Sequence, residues 1–329
     1  MPSDGPIFSE SLLSVEEFRD LTNRRLTMEL LAGEEGLQKE INSPRIQKLG
    51  LALAGYTEYV QQGRVQFIGL SEITFLKMLD PKKRAEAVEE IFSREITCIV
   101  VTQNLETPED LLHQCNEHWV PVFRTETPSS IAIAEITNLL EESLAPTTTV
   151  HGVLMEVFGI GVLLLGPSGI GKSECALDLI LRGHRLVSDD TIVIKKFGIN
   201  QLQGSGPPNF RFHMELRGLG IINIKELFGI SALSSSKTVD LTVDLVRWKN
   251  DEEYDRLGLD ERKYPLLGVP VPLIRMPVAP GRNLATLVEV AVRIQMLKAQ
   301  GHSASNEFFQ KLERHLQVPE LPSDEAQRL

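Results

Sequence analysis

Residues 166–173 read Gly-Pro-Ser-Gly-Ile-Gly-Lys-Ser, and this octapeptide constrains the fold more than any other feature of the chain. It fits the G-x-x-x-x-G-K-[ST] phosphate loop and has the context that motif requires: an apolar run, Gly161 to Leu165, before it and a helical pattern, Glu174 to Leu181, after it. A strand must therefore deliver the chain into a glycine-rich turn and a helix must carry it away. Each position has a physical reason. Gly166, Gly169 and Gly171 let backbone N–H groups converge on phosphate oxygens, with Pro167, Ser168 and Ile170 filling the turn. The helix N-terminus adds partial positive charge. Lys172 supplies an ammonium to the outer phosphates, and the Ser173 hydroxyl is a hard oxygen suited to magnesium. The chain is expected to bind a nucleoside triphosphate or a similar polyphosphate.

The rest of the sequence fits an α/β protein of two domains, the natural expectation for 329 residues. Forty-five acidic against thirty-four basic side chains give a net charge of −11, which argues against nucleic acid as the main partner. The imbalance lies in residues 1–150, with 24 acids and 13 bases, whereas residues 151–329 carry 21 of each. The second half is thus the one suited to an anionic ligand. No run of eighteen apolar residues is present, so no membrane-spanning helix is expected. Three cysteines and no secretory layout at the start point to a reducing cytoplasm.

In the first half, strands are expected at Arg64 to Leu70, Thr97 to Thr102 and Trp119 to Phe123, with helices over Pro81 to Phe92 and Ser129 to Ser143. Thr107-Pro108-Glu109-Asp110 reads as a helix start with a threonine cap. No catalytic motif is recognisable there. Leu144 to Thr149 is the expected linker, placing domains at 1–145 and 146–329. In the second half, strands are expected over Val150 to Phe158 and Gly161 to Leu165, and another ends at Asp189-Asp190 and continues to Lys195. Gly204 to Asn209 reads as a loop. Asn283 to Gln300 reads as a helix capped by Asn283, with Leu284, Leu287, Val288, Ala291, Ile294 and Leu297 forming one apolar stripe.

Several residues join the loop as candidates. Asp189 and Asp190 follow Lys172 by seventeen and eighteen positions; in phosphate-loop proteins one such acid holds the metal, and a second can take a proton from an attacking hydroxyl. Side-chain alternation along a strand sends the two to opposite faces. Glu215 and Arg217, on one face of an extended segment before Gly218 and Gly220, suit a carboxylate and a guanidinium near phosphate and metal; a surface ion pair explains them as well. His151, Arg256 and Arg282 are polar groups of ordinary kind, and Arg282 gains interest from preceding a helix N-terminus.

Taken together, Thr148 to Leu154, the loop with Ser173-Glu174, Arg182 to Asp190, Glu215 to Asn223 and Gly281 to Ala285 resemble, in order and spacing, the HPr kinase/phosphorylase family over about residues 144–300. Leu53 to Tyr56 and Val100 to Thr102 resemble that family's N-terminal domain more weakly. The chain departs from the usual pattern at Pro167, often acidic in relatives, and at Ala279, often basic.

The resemblance implies an N-terminal α/β domain followed by a phosphate-loop kinase domain of the phosphoenolpyruvate-carboxykinase-like type, not an all-parallel doubly wound sheet. It implies ATP or pyrophosphate with Mg2+ as donor, and a serine of the phosphocarrier protein HPr as acceptor. In reverse, inorganic phosphate strips serine-phosphorylated HPr and leaves as pyrophosphate. It implies a homohexamer. It assigns phosphate binding to Lys172 and the loop, magnesium to Ser173 and Glu215, and the serine proton to Asp190 in preference to Asp189. His151 and Arg256 complete that active site, and Pro277 to Arg282, including Gly281, serve chiefly dephosphorylation. The alternatives are a small-metabolite kinase on the same core and a non-catalytic nucleotide-dependent scaffold.

Overall fold

The computed structural model describes residues 12–207, 212–248, 262–279 and 281–302, and they fall into two compact units divided between Thr147 and Thr148. Arg256, Pro280, and the 208–209 part of the expected loop lie outside the described residues.

The first unit runs β1 (Leu13–Ser14), α1 (Val15–Thr22), β2 (Glu29–Ala32), β3 (Glu40–Ile41), β4 (Gln47–Lys48), α2 (Gly50–Leu53), β5 (Val65–Ile68), α3 (Leu70–Met78), α4 (Pro81–Ile91), β6 (Cys98–Val101), α5 (Glu109–Glu117), β7 (Val122–Arg124) and α6 (Ser129–Ser143). Its five-stranded sheet has the order β2-β7-β6-β5-β4, with β4 to β7 parallel and β2 antiparallel at one edge. Both β5 and β6 are buried along their whole length, as parallel strands covered on two faces must be. One face packs Ile68, Ile99 and Val101 under α2 to α5; the other packs Val65, Phe67 and Val100 against Phe18 of α1 and Ile136 of α6.

The expected starts shift in two places. Leu70 opens α3 instead of ending a strand, because Gly69 takes the cap position and the buried Glu72 side chain accepts its N–H at 2.9 Å. Ahead of α5, Pro108 is the cap residue in extended conformation, and the buried Thr107 hydroxyl has no hydrogen-bond partner among the described residues, so threonine does not cap this helix.

The second unit holds β8 (Thr147–Val157), β9 (Ile160–Leu165), α7 (Lys172–Leu181), β10 (Arg185–Phe197), β11 (Gln201–Ser205), β12 (His213–Leu216), β13 (Gly220–Asn223), α8 (Ile224–Phe228), β14 (Ser236–Thr238), β15 (Leu241–Arg247), β16 (Arg262–Leu266), β17 (Val269–Val278) and α9 (Leu284–Ala299). Eight strands form a mixed sheet of order β14-β11-β10-β8-β9-β15-β17-β16. β15 pairs in parallel with β9 on one side and β17 on the other, while β8/β9, β10/β11 and β16/β17 are antiparallel hairpins. Two hairpins close through Phe158-Gly159 and Leu267-Gly268, whose paired positive φ angles (51° and 79°, 48° and 75°) match the twist of the strands they join. This is the mixed α/β architecture expected, not an all-parallel doubly wound sheet.

Three local expectations are corrected. The expected 144–149 linker contains the division between the units but is shorter than expected: only residues 144–146 separate α6 from β8, because the β-branched Thr147 to Thr149 enter the strand and Thr148 is buried. Gly204 and Ser205 belong to β11, not to a loop. A Cβ on Gly204 would sit 2.4 Å from Leu154 Cδ2, so glycine there serves close strand packing. In α9 the buried face is Ala285, Val288, Ala291 and Val292, whereas Ile294 and Leu297 are about half exposed, so the stripe is covered only over its N-terminal half.

Candidate active site

The three parallel strands β9, β15 and β17 end at Leu165, Arg247 and Val278 on the same side of the sheet, and their carboxyl ends are where open α/β sheets hold ligands. β9 feeds directly into the loop 166–171. Gly166 lies so near β15 that a Cβ would fall 2.5 Å from Leu245 O, and its φ of 139° suits glycine alone. Gly169 and Gly171 also take positive φ, 75° and 105°, and Gly171 is the N-cap of α7. Ile170 tucks into the core under α7, pinning the turn from below. Pro167 and Ser168 stay at the surface. Lys172 Nζ folds over the turn and donates to Gly166 O at 2.9 Å and Pro167 O at 3.3 Å, so the ammonium sits at the mouth of the loop.

Ser173 Oγ donates to Asp189 Oδ1 at 3.1 Å, and Asp189 Oδ2 accepts the Glu215 N–H at 3.3 Å. Burial pushes the Asp189 carboxyl above the usual range, and the bonds from Ser173, Glu215 N and Asp190 N pull it part of the way back. Asp190 is exposed and takes φ +66°, a conformation disfavoured for a side-chain-bearing residue. The pair is thus divided, as expected of neighbouring strand residues, into a half-buried acid on Ser173 and an exposed acid after it.

The β12–β13 hairpin, with Glu215 paired to Ile221 and Leu216 to Gly220, carries Glu215 and Arg217 to the loop. A Cβ on Gly169 would lie 2.6 Å from Arg217 Nη1, so the guanidinium rests on the phosphate loop itself. Glu215 and Arg217 are thus part of one cluster with Gly169, Ser173 and Asp189, and the surface-ion-pair explanation does not describe them. His151 is exposed on β8, two residues before Val153, which pairs with Leu164 of β9. Pro277 pairs with Val246 near the end of β17, Gly281 has φ 81°, and the Arg282 guanidinium stacks on Trp248 at 5.1 Å.

Two features had no signal in the sequence. Trp248 follows the last residue of β15, and nothing in its neighbourhood marks it as the platform for Arg282. Likewise the contacts of Arg182 and His184 with Glu289 join residues more than a hundred positions apart.

Ser173 Oγ and the Asp189 carboxyl are hard oxygen donors of the kind that suits magnesium in phosphoryl-transfer sites, and Glu215 reaches this pair through its backbone N–H. Among the described residues no group of three or more His, Cys, Asp or Glu side chains is placed to hold a metal ion, and no helix is long and apolar enough to cross a membrane.

A mixed sheet with a phosphate loop at the carboxyl ends of its parallel strands, a lysine over the loop and paired acids beside it define a phosphate-loop phosphotransferase. The comparisons narrow this. The family model described as HPr Serine kinase C-terminal domain matches residues 142–312, and the one described as HPr Serine kinase N terminus matches residues 14–140. The chain is 45% identical over 312 residues to the HPr kinase/phosphorylase of Geobacter sulfurreducens, covering 95% of this chain and 98% of that protein. It is 43% identical over 284 residues to the HPr kinase/phosphorylase of Brevibacillus brevis, covering 86% and 91%. The solved structure of the Hpr(Ser) kinase/phosphatase from Coxiella burnetii is 36% identical, covers 52% of this chain and 99% of its own, and superposes with a TM-score of 0.44. The chain belongs to the HPr kinase/phosphorylase family.

Proposed function

We propose that this protein is a bifunctional serine kinase and phosphorylase acting on HPr. The observation that carries the reading is the convergence of Lys172, Ser173, Asp189 and Arg217 on one glycine-rich loop, in a chain of this family. Phosphoryl transfer leaves little covalent work to the protein; it needs positioning and compensation of charge on the transferring oxygens. The loop amides, Lys172 and Arg217 supply that charge around a bound ATP or pyrophosphate. Magnesium, held by Ser173 with Glu215 and Asp189 around it, supplies further charge neutralisation when bound.

In the kinase direction the serine oxygen of HPr bonds to the γ-phosphorus as the bond to the β-bridging oxygen breaks, and ADP leaves. The serine proton passes to Asp190, exposed where a protein substrate can reach it. In the reverse direction an oxygen of inorganic phosphate bonds to the phosphoserine phosphorus as the bond from phosphorus to the serine oxygen breaks, Asp190 returns the proton to that oxygen, and the pyrophosphate so formed is released. One carboxyl serves both because the forward base is the reverse acid. His151 and Arg256 are assigned to the same active site, and Pro277, Gly281 and Arg282 to the phosphate-using direction. Residues 146–329 are taken as the catalytic domain and 1–145 as a domain for assembly or regulation, in a cytoplasmic homohexamer.

The test is incubation with HPr, labelled ATP and magnesium, followed by excess phosphate. Label on an HPr serine, then released as pyrophosphate, is the expected result; transfer to a metabolite without HPr, or no transfer at all, would overturn it.

A further inference from the structure

The phosphate loop and Arg282 belong to different elements, and a polar network joins those elements. Arg182 sits at the C-terminal end of α7, ten residues and thus about 15 Å from Lys172. Its guanidinium donates to Glu289 Oε2 at 2.9 Å and Thr286 Oγ1 at 3.1 Å through Nη1, and to Asn283 Oδ1 at 3.1 Å through Nη2. All three acceptors lie in the first two turns of α9 or at its cap. Asn283 answers by donating to Asp178 Oδ2 on α7 at 3.2 Å, while its Oδ1 also accepts the Thr286 N–H that caps α9.

The second oxygen of Glu289 meets His184 Nε2 at 2.9 Å. His184 is buried, with the Phe158 ring edge-on at 4.7 Å, and Arg293 lies over that ring at 4.6 Å. The network therefore ties the C-terminal end of α7, and the residues just after it, to one stretch of α9. The start of that stretch also abuts the active site: Leu284 Cδ1 is 3.6 Å from the position of a Gly171 Cβ, and Arg282 immediately precedes the Asn283 cap.

We propose that Arg182, through Glu289 and Asn283, is a positioning residue that sets the start of α9 against α7 and thereby places Arg282 at the phosphate loop. This rests on the bifunctional reading above. A planar fork meeting three acceptors on one helix defines that helix's placement in a way a lysine point charge does not. The consequence differs between the two directions. ATP is held along its polyphosphate by the loop amides and Lys172, whereas inorganic phosphate offers only one set of oxygens, so its binding depends more steeply on a single well-placed cation.

The experiment uses the full chain in a Trp119→Phe background, leaving Trp248, the partner of Arg282, as the sole tryptophan. Arg182→Ala should move Trp248 emission toward that of Arg282→Ala and raise the KM for inorganic phosphate in phosphorolysis about tenfold, the effect of losing one charged hydrogen bond, while the ATP KM stays within about twofold. Arg182→Lys should remain nearer to alanine than to the parent. If Arg182→Ala fails to fold, Glu289→Gln, which removes the charge at constant size, replaces it. Trp248 emission matching the parent, equal shifts in both KM values, or full recovery by lysine would overturn the proposal. Should the parent catalyse neither direction, the functional reading fails, while the emission comparison still decides the placement of Arg282.

Discussion

Ser173 holds Asp189 by a 3.1 Å hydrogen bond, and the residue after Asp189 turns through φ +66° to present a second carboxylate to solvent. One acid is thereby committed to the loop and its neighbour is left free to meet a substrate. The backbone strain at Asp190, of order 1–3 kcal/mol, is held in place by Ser188 Oγ donating to Thr191 O at 2.7 Å across the turn.

That division predicts different losses for the two aspartates. Asp190→Asn should lower both kinase and phosphorolysis rates by roughly 10²- to 10⁴-fold, the usual worth of a general acid–base, with ATP affinity retained. Asp189→Asn should instead weaken magnesium-dependent ATP binding. Titration calorimetry alongside a phospho-HPr assay separates the two patterns; equal loss of nucleotide binding in both would contradict the assignment.

Gly169→Ala should impair nucleotide binding without unfolding the chain. The new Cβ would lie 2.6 Å from Arg217 Nη1, and φ +75° costs a side-chain-bearing residue about 1–2 kcal/mol. The expected outcome is at least a tenfold weaker ATP affinity, read by calorimetry, with the far-ultraviolet circular dichroism unchanged.

Thr242→Val should stabilise the second unit. Thr242 is fully buried in the central strand β15, opposite Leu163 and Leu273, and its hydroxyl finds no partner among the described residues. Replacing an unsatisfied hydroxyl by a methyl of the same shape should gain about 1 kcal/mol, seen as a higher melting temperature.

Two carboxyls should show opposite pH signatures. The hydrogen bond to His184, followed by the contacts with Arg182, holds the Glu289 carboxyl below its ordinary 4.5. Its stabilisation is therefore complete above that value and is lost as pH falls through the lower native value. Glu289→Gln should then melt below the parent at neutral pH, with the gap closing in acid. Asp189 is raised from 3.8 mainly by burial, so its charge penalises the native state once pH exceeds the raised value, and the penalty vanishes below 3.8. Without magnesium, Asp189→Asn should melt above the parent at neutral pH and converge with it in acid. Melting curves between pH 3 and 7.5 on the order of half-unit steps would check both signs.

The sequence alone determined where the phosphate loop lies, because that loop is a local device: Gly166 to Ser173 are contiguous, their glycines meet a backbone need, and the flanking apolar strand and helix are readable from neighbours. The helices over Pro81 and Ser129 and the buried strand around Ile99 were legible for the same reason, since propensity and periodicity act over one or two turns. What lay beyond reach was whatever depends on distant partners. Gly204 reads as loop until Leu154 is seen packed on it, and the lower α9 stripe reads as buried until Ile294 and Leu297 are seen to be about half exposed. The left-handed turn at Asp190, Arg217 lying on Gly169, Arg282 on Trp248 and Arg182 bound to Glu289 were decided only by tertiary structure. Each joins groups whose separation along the chain carries no periodic signal, and their contacts exist only once the mixed sheet has brought β9, β10, β15 and β17 side by side.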